Sequence, residues 1–304
     1  MKTLNEMVLK AQQLDKQTLV VAVAQDEPVI EAVELAREKE IIDAILVGDQ
    51  KLIESILEKH HFPKHLYKII DEKDPVRACE IAVGIVSDEK HHFLMKGFVD
   101  TSVILKAALN KEKGLRTQNR LSHVSLMEIP TYHKLLLMSD GAMNIDPDVD
   151  IKQEIIENGV TILHALGHQI PKVGCIAAVE KINPKMQATL DAEQLIIRNQ
   201  AGQIKGCVIG GPFGLDNAIN LEAAIHKNIK DPMAGDVDFV LMPQIESGNV
   251  FYKSMMFLAN AKSASTIAGA KKPIVLTSRA DSKESKFYSI VLSAIVSSYQ
   301  DQIN

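Results

Sequence analysis

Short, nearly unbroken apolar runs alternate with stretches of helical periodicity along most of the chain. This alternation limits the fold more than any other feature. "TLVVAVAQ" (18–25) precedes "EPVIEAVELAREKE" (27–40), "AILVGD" (44–49) precedes "QKLIESILEKH", and "HFLMKG" (92–97) precedes "VDTSVILKAALNKE". Further on, "KLLLMSDGAMN", "KVGCIAAV", "CVIGGPFGLD", "DFVLMPQIESGN" and "PIVLTSRADS" are also strand-like, and most lead into helical patterns. A strand that is apolar on both faces needs cover on both. The pattern therefore predicts parallel sheet flanked by helices, an α/β fold of the doubly wound kind. There are more such runs than one open sheet comfortably holds, which predicts two domains. The stretch "NKEKGLRTQNRLSHVSLMEIPTYH" breaks the rhythm. It places a first domain over 1–130 and a second over 131–283, with the last helix, 284–304, free to return to the first.

Composition narrows the partners. With 304 residues, 46% of them hydrophobic and 24% charged, the chain has ample material for a core. A formal net charge of −5 and no basic stripe argue against nucleic acid. Local cations can still hold an anionic ligand. No apolar run approaches the roughly 20 residues that span a bilayer, so no membrane partner is expected. Cys79, Cys175 and Cys207 are far apart and odd in number. Free thiols in a reducing cytoplasm are the plain reading. The first 16 residues read as an amphipathic helix and lack the apolar centre of a signal peptide.

In open parallel sheets ligands bind beyond the carboxyl ends of the strands, so the strand-to-helix loops hold the candidates. Four have unusual polar content: "MKGFVDTS", "GGPFGLDNA", "PQIESGNVFYK" and "TSRADSKES". In the second, Gly210, Gly211 and Gly214 allow close backbone approach, and Asp216 stands where a helix N-cap belongs. In the third, Ser247, Gly248 and Asn249 are expected to lead into a helix whose free amides suit an anion, with Lys253 one turn in. In the fourth, Asp281 and Glu284 have the spacing of a capping box. That leaves Ser278 as a hydroxyl donor and Arg279 as a planar fork suited to phosphate. Other signals are discounted. Asp146, Asp148, Asp150 and Glu157 have EF-hand spacing, but Ile151 replaces the required glycine. His60–His61 and His91–His92 lie at element edges and are expected to lack acidic partners. Cys175 and Cys207 lie in apolar runs and read as buried, inert thiols.

Four segments together, "LMKGFVDTSVILKAAL" (94–109), "GGPFGLDNAI" (210–219), "AGDVDFVLMPQIESGNVFYKSM" (234–255) and "GAKKPIVLTSRADSKESKFYSI" (269–290), resemble the phosphate acetyl/butyryltransferase family over nearly the whole chain. "AAVEKINPKMQATLDA" (177–192) is similar to the butyryl branch. The resemblance implies two α/β domains with a cleft between them, related to the isocitrate/isopropylmalate dehydrogenase architecture. It implies reversible transfer of a short-chain acyl group between CoA and inorganic phosphate in a homo-oligomer. Neither metal nor covalent acyl-enzyme is expected, and CoA is a substrate rather than a cofactor.

Carried onto this chain, the family's motifs give Arg279 the phosphoryl group and Ser278 a donor to the carbonyl or leaving oxygen. Asn249 and Lys253 would line the anion or CoA site. Lys96, Gly97 and Thr101 would contribute from the first domain, Asp216 would shape the cleft floor or orient a donor, and Gly211 would help bind substrate. One departure matters: Ser285 stands where the acetyl branch has an acid, which leaves Asp281 as a substitute base or removes the need for one. Three alternatives remain: a phosphate acetyltransferase, a metal- and NAD-dependent dehydrogenase on the same architecture, and a non-catalytic CoA or acyl-phosphate sensor.

Overall fold

The structure, a computed structural model, describes residues 1–277 and 281–303. Its chain forms two compact units, Asn5–Asn119 with Ala264–Asn304, and Met1–Leu4 with Arg120–Ser263. In chain order the first stretch contains α1 (Leu4–Ala11), β1 (Gln17–Ala22), α2 (Glu27–Glu38), β2 (Ile42–Gly48), α3 (Gln50–Lys59), β3 (Lys68–Asp71), α4 (Pro75–Asp88), β4 (His92–Lys96) and α5 (Thr101–Ala108). The middle stretch contains β5 (Ser122–Glu128), β6 (Leu136–Ser139), α6 (Val149–Ala165), β7 (Lys172–Ile176), α7 (Gln187–Gln200), β8 (Val208–Phe213), α8 (Leu215–Ile219), α9 (Leu221–His226), β9 (Phe239–Leu241) and α10 (Ile245–Phe257). The chain then returns through β10 (Lys262–Ala268), β11 (Ile274–Val275) and α11 (Lys283–Ile303).

In the unit built from both ends of the chain, the strand order is β3-β2-β1-β4-β11-β10. All neighbours are parallel except β10 with β11. The chain moves outward from β1 to β3, and α4 then carries it back to the other side of β1. That reversal is a topological switch point, and it places the carboxyl ends of β1 and β4 side by side. β1 is buried throughout apart from Thr18, as a strand covered on both faces must be.

α11 packs against α2, β1, β4 and β11. It is buried nearly all round from Ser285 to Ser298, and among its apolar side chains runs a row of serines one turn apart whose hydroxyls find partners. The Ser289 hydroxyl donates to Ser285 O at 2.7 Å and accepts from the Ser265 amide at 2.9 Å. The Ser293 hydroxyl donates to Thr266 Oγ1 at 3.0 Å. Small side chains let the helix approach closely, and the hydrogen bonds remove the penalty of burying their hydroxyls.

In the unit built from the middle of the chain the order is β5-β6-β9-β7-β8, with only β5 and β6 antiparallel. Its core includes Leu136, Met138, Phe213, Val237 and Val240. Charges tie down the amino ends of its strands. Lys134 reaches Asp238 at 2.6 Å and Asp236 at 2.8 Å, and Lys172 reaches Asp236 at 2.5 Å. Burial alone would raise the Asp236 carboxyl. Lys134, Lys172 and His133, hydrogen-bonded to it, instead hold it well below the usual carboxylate range.

Candidate active site

In the first unit, Lys96 ends β4 and is buried. Its ammonium turns back onto its own loop, donating to Gly97 O at 3.2 Å and Val99 O at 3.0 Å. The Gly97 and Phe98 amides donate to Ala22 O and Val23 O at 2.8 and 2.7 Å. Gly97 has no alternative: a Cβ there would lie 2.2 Å from Val23 O and 2.9 Å from Ala22 O. Gly97 is thus required by backbone contact with β1, and the Lys96 ammonium is turned onto two loop carbonyls. Thr101 is exposed at the first position of α5, just after the N-cap Asp100.

At the start of α11 the structure corrects the capping-box expectation. The helix begins at Lys283, so the cap position belongs to Ser282. The Ser282 hydroxyl oxygen accepts from the Ser285 amide at 3.1 Å and donates to Ser285 Oγ at 3.2 Å. Asp281 lies one residue too early to cap. Its backbone carbonyl accepts from Lys286 Nζ at 2.7 Å. Ser285 is buried within this cap. Ser278 and Arg279 lie outside the described residues. Lys286 was missed by sequence reasoning. It is buried, and burial lowers its pKa against the opposing pull of Asp281 and Asp26. No local phase marked it, because α11 is buried all round from Ser285 to Ser298 apart from Tyr288.

In the second unit, Gly211 adopts φ +121, and a Cβ there would lie 2.8 Å from Cys175 O. Asp216 is not an N-cap: α8 begins at Leu215 with Gly214 as its cap. Asp216 pairs instead with Lys227 at 3.0 Å, and Lys227 also binds Glu180 at 2.9 Å. The hydrogen bond from Lys227 lowers the Asp216 pKa. Asn217 donates to Glu180 at 2.5 Å. Glu180 and Lys227, absent from the sequence candidates, follow β7 and α9 and meet only through the fold.

Ser247, Gly248 and Asn249 lie inside α10 rather than before it, since its N-cap is Gln244. The expected free amides are partly used: Ile245 N–H donates to Ile145 O and Gly248 N–H to Gln244 O. Gly248 resembles a helix breaker, yet a close approach requires it, because its Cβ would lie 2.2 Å from Asp140 O. Asn249 Nδ2 donates to Gly141 O at 3.2 Å. Lys253 lies over the Tyr252 and Phe257 rings, at 5.3 and 5.8 Å from their centroids.

The three cysteines are buried, and burial pushes their thiols up, to about 12 for Cys175 and about 11 for Cys79 and Cys207. They are protonated at neutral pH and poor nucleophiles. His60 does have acidic partners, contrary to expectation, because α2 brings Glu27 to 2.6 Å and Glu31 to 3.4 Å. These three groups are spaced to reach one cation. Lys59 already pairs with Glu27 and Lys283 with Glu31, so the cluster reads as an ion-pair clasp between helices.

The description "Phosphate acetyl/butaryl transferase" belongs to the family model that matches residues 3–294. The chain belongs to this family. It is 45% identical over 295 residues to phosphate butyryltransferase of Clostridium acetobutylicum, covering 97% of this chain and 98% of that one. It is also 45% identical to phosphate acetyltransferase of Thermotoga maritima over 277 residues, 91% of this chain and 94% of that one. Among solved structures it is similar to a branched-chain phosphotransacylase from Enterococcus faecalis V583. There the TM-score is 0.83 at 31% identity, over 92% of this chain and 99% of that one.

Proposed function

We propose that the protein transfers a short-chain acyl group, butyryl, between CoA and inorganic phosphate. A phosphate oxygen attacks the thioester carbonyl, the C–S bond breaks, and CoA leaves as a thiolate that takes up a proton. Acyl phosphate is the other product, and the reaction runs in both directions. The near end-to-end match to a phosphate butyryltransferase carries this reading. Holding both substrates in one ternary complex supplies much of the rate, since orientation contributes on the order of 7–11 kcal/mol.

Arg279 pairs with the phosphoryl oxygens and Ser278 donates to the oxygen that gains charge. One such donor is worth about 3 kcal/mol. Lys253 and Asn249 line the anion or CoA site. Lys96 and Gly97 act by shaping their loop, with Thr101 at its border, and Gly211 contributes to substrate binding from the second unit. Asp216 orients a donor, and Asp281 and Ser285 shape the loop after Arg279. The protein needs no cofactor or metal and works in the cytoplasm as a homo-oligomer. Acetyl transfer is the second reading, favoured by the equal identity to the Thermotoga maritima enzyme.

Thiol release from acetyl-, propionyl-, butyryl- and isobutyryl-CoA with phosphate tests the reaction. Butyryl-CoA should give the highest kcat/KM; the same rank for acetyl-CoA would select the second reading, and no release from any would overturn both. Arg279→Ala should cut kcat/KM for phosphate by roughly 100-fold or more, the scale expected when a charged partner is removed from a buried anion.

A further inference from the structure

We propose that the outward face of α10 is where a second copy of this chain docks, on a two-fold axis that passes Ser254. The inference rests on the homo-oligomer reading above and names the surface that makes it.

α10 is apolar on two sides. Its inner side packs Phe251, Met255 and Met256 on the core of the second unit. A helix with one side on a core ordinarily turns charge to water on the other. Here the outward side presents Val250, 65% exposed, Phe257, 70%, and Leu258, 83%. Ile145, 71% exposed, extends it at the amino end, where its carbonyl accepts from Ile245 N–H. Of the two charged residues in α10, Glu246 stands at the amino end and Lys253 on one flank.

Spacing gives this surface its form. Val250, Ser254 and Leu258 are four residues apart and make one i±4 ridge, the kind that interdigitates when two helices cross. Leu258 N–H donates to Ser254 O at 2.9 Å, so the ridge is helical to its end. Its middle side chain is the small one. A two-fold axis at Ser254 sets Val250 of one copy against Leu258 of the partner subunit, and the reverse, with Phe257 flanking the seam. An isologous contact must be self-complementary, and this ridge is.

Area selects the occupant. The four apolar side chains expose on the order of 500 Å², within the range of about 300–600 Å² for the largest apolar patch of a typical monomer. Paired with itself, the patch removes about 1,000 Å² from water, the size at which specific association begins, before any polar rim is counted. An uncharged centre with an aromatic anchor is also the composition of a subunit interface. α10 carries Asn249 and Lys253 as well, so this interface and the candidate site share one helix.

Mass in solution tests the proposal without any substrate, so its fate is separate from that of the acyl-transfer reading. Sedimentation velocity at micromolar concentration should find wild type as a dimer or a larger assembly. Val250→Arg combined with Leu258→Arg should at least halve that mass, because the axis brings like charges together. Leu52→Arg, at a side chain 53% exposed on α3, should leave the mass unchanged. A covalent readout does not depend on that double variant folding. In Ser254→Cys the two thiols face each other across the axis, within the roughly 4–7 Å between Cα atoms that a disulfide spans, and oxidation should give a covalent dimer. Val250→Cys should give none, since its two copies lie about 12 Å apart along the seam. The native cysteines are buried and should not crosslink. A monomeric wild type overturns the homo-oligomer reading and this surface together. With an assembled wild type, the reading stands and the surface alone is overturned by any of three results. These are full mass in the double variant, equal dissociation by Leu52→Arg, and a Ser254→Cys crosslink that is missing or no stronger than that of Val250→Cys.

Discussion

The turn after β4 and the first turns of α10 solve one packing problem in the same way and then diverge. Each places a glycine where a Cβ would lie 2.2 Å from a backbone carbonyl, Val23 O for Gly97 and Asp140 O for Gly248. Each has a family lysine close by, and the two lysines face different surroundings. Lys96 is buried and satisfies the carbonyls of its own loop. Lys253 is half-buried over two aromatic rings, one of them, Phe257, largely exposed. The two motif lysines thus differ in surroundings: one is spent on the carbonyls of its own loop, and the other is held half-buried over aromatic rings, the position proposed above for anion contact.

The glycines should show the largest effects. Gly97→Ala and Gly248→Ala each force backbone against backbone, which no side-chain rotation relieves, and each should lose about 3 kcal/mol or more of stability. Chemical denaturation reads this; a loss below about 1 kcal/mol at either position would mean the contact relaxes easily and the parallel fails.

The lysines should separate next. Lys96→Met leaves two loop carbonyls without their donor and should lose about 1–3 kcal/mol of stability. Lys253→Ala should leave the unfolding midpoint nearly unchanged while kcat/KM falls about tenfold or more, the scale of a charge-assisted contact. If Lys253→Ala instead destabilises as much as Lys96→Met, the distinction between builder and binder is lost.

Asp236, at the amino ends of the second unit's strands, extends the comparison to a place with no proposed chemistry. Its pKa is depressed in the fold, so its stabilisation is fully present above the ordinary value near 3.8 and is lost as pH falls from there. Asp236→Asn should lose at most about 1 kcal/mol at pH 7, because the carboxylate is 42% exposed and solvent screens it. The gap from wild type should close below about pH 4, and a gap independent of pH would contradict this origin. The smallest change in stability is expected for Asp216→Ala, within about 0.5 kcal/mol at this exposed ion pair. Its kcat then decides whether the aspartate orients a reacting group or only anchors Lys227.

Much of the architecture was legible because its signals are local. Apolar runs and helical periodicity marked most strands and helices, and the glycine-bearing loops follow the carboxyl ends of β4 and β8. Local signals misled where a distant contact outweighed them. Asp281 and Glu284 have capping-box spacing, yet α11 starts at Lys283 and Ser282 takes the cap. Gly248 looked like the entrance to a helix, yet it lies within one, and the close approach of Asp140 O is what requires glycine there. His60 seemed to lack acids until α2 supplied Glu27 and Glu31.

The sequence by itself determined the class of fold, the order of its elements and the motifs that place the chain in its family, since periodicity and short-range spacing are properties of neighbours along the chain. Tertiary structure alone decided that Lys96 is turned inward, that Lys286 is buried beside Asp281, and that the turn after β4 is held where strand order reverses. The carbonyls that Lys96 and Lys286 reach are close in sequence. The turn after β4, however, is fixed by Ala22 O and Val23 O, and α11 is buried by strands, that arrive from tens of residues away, and nothing in a residue's immediate neighbours specifies that.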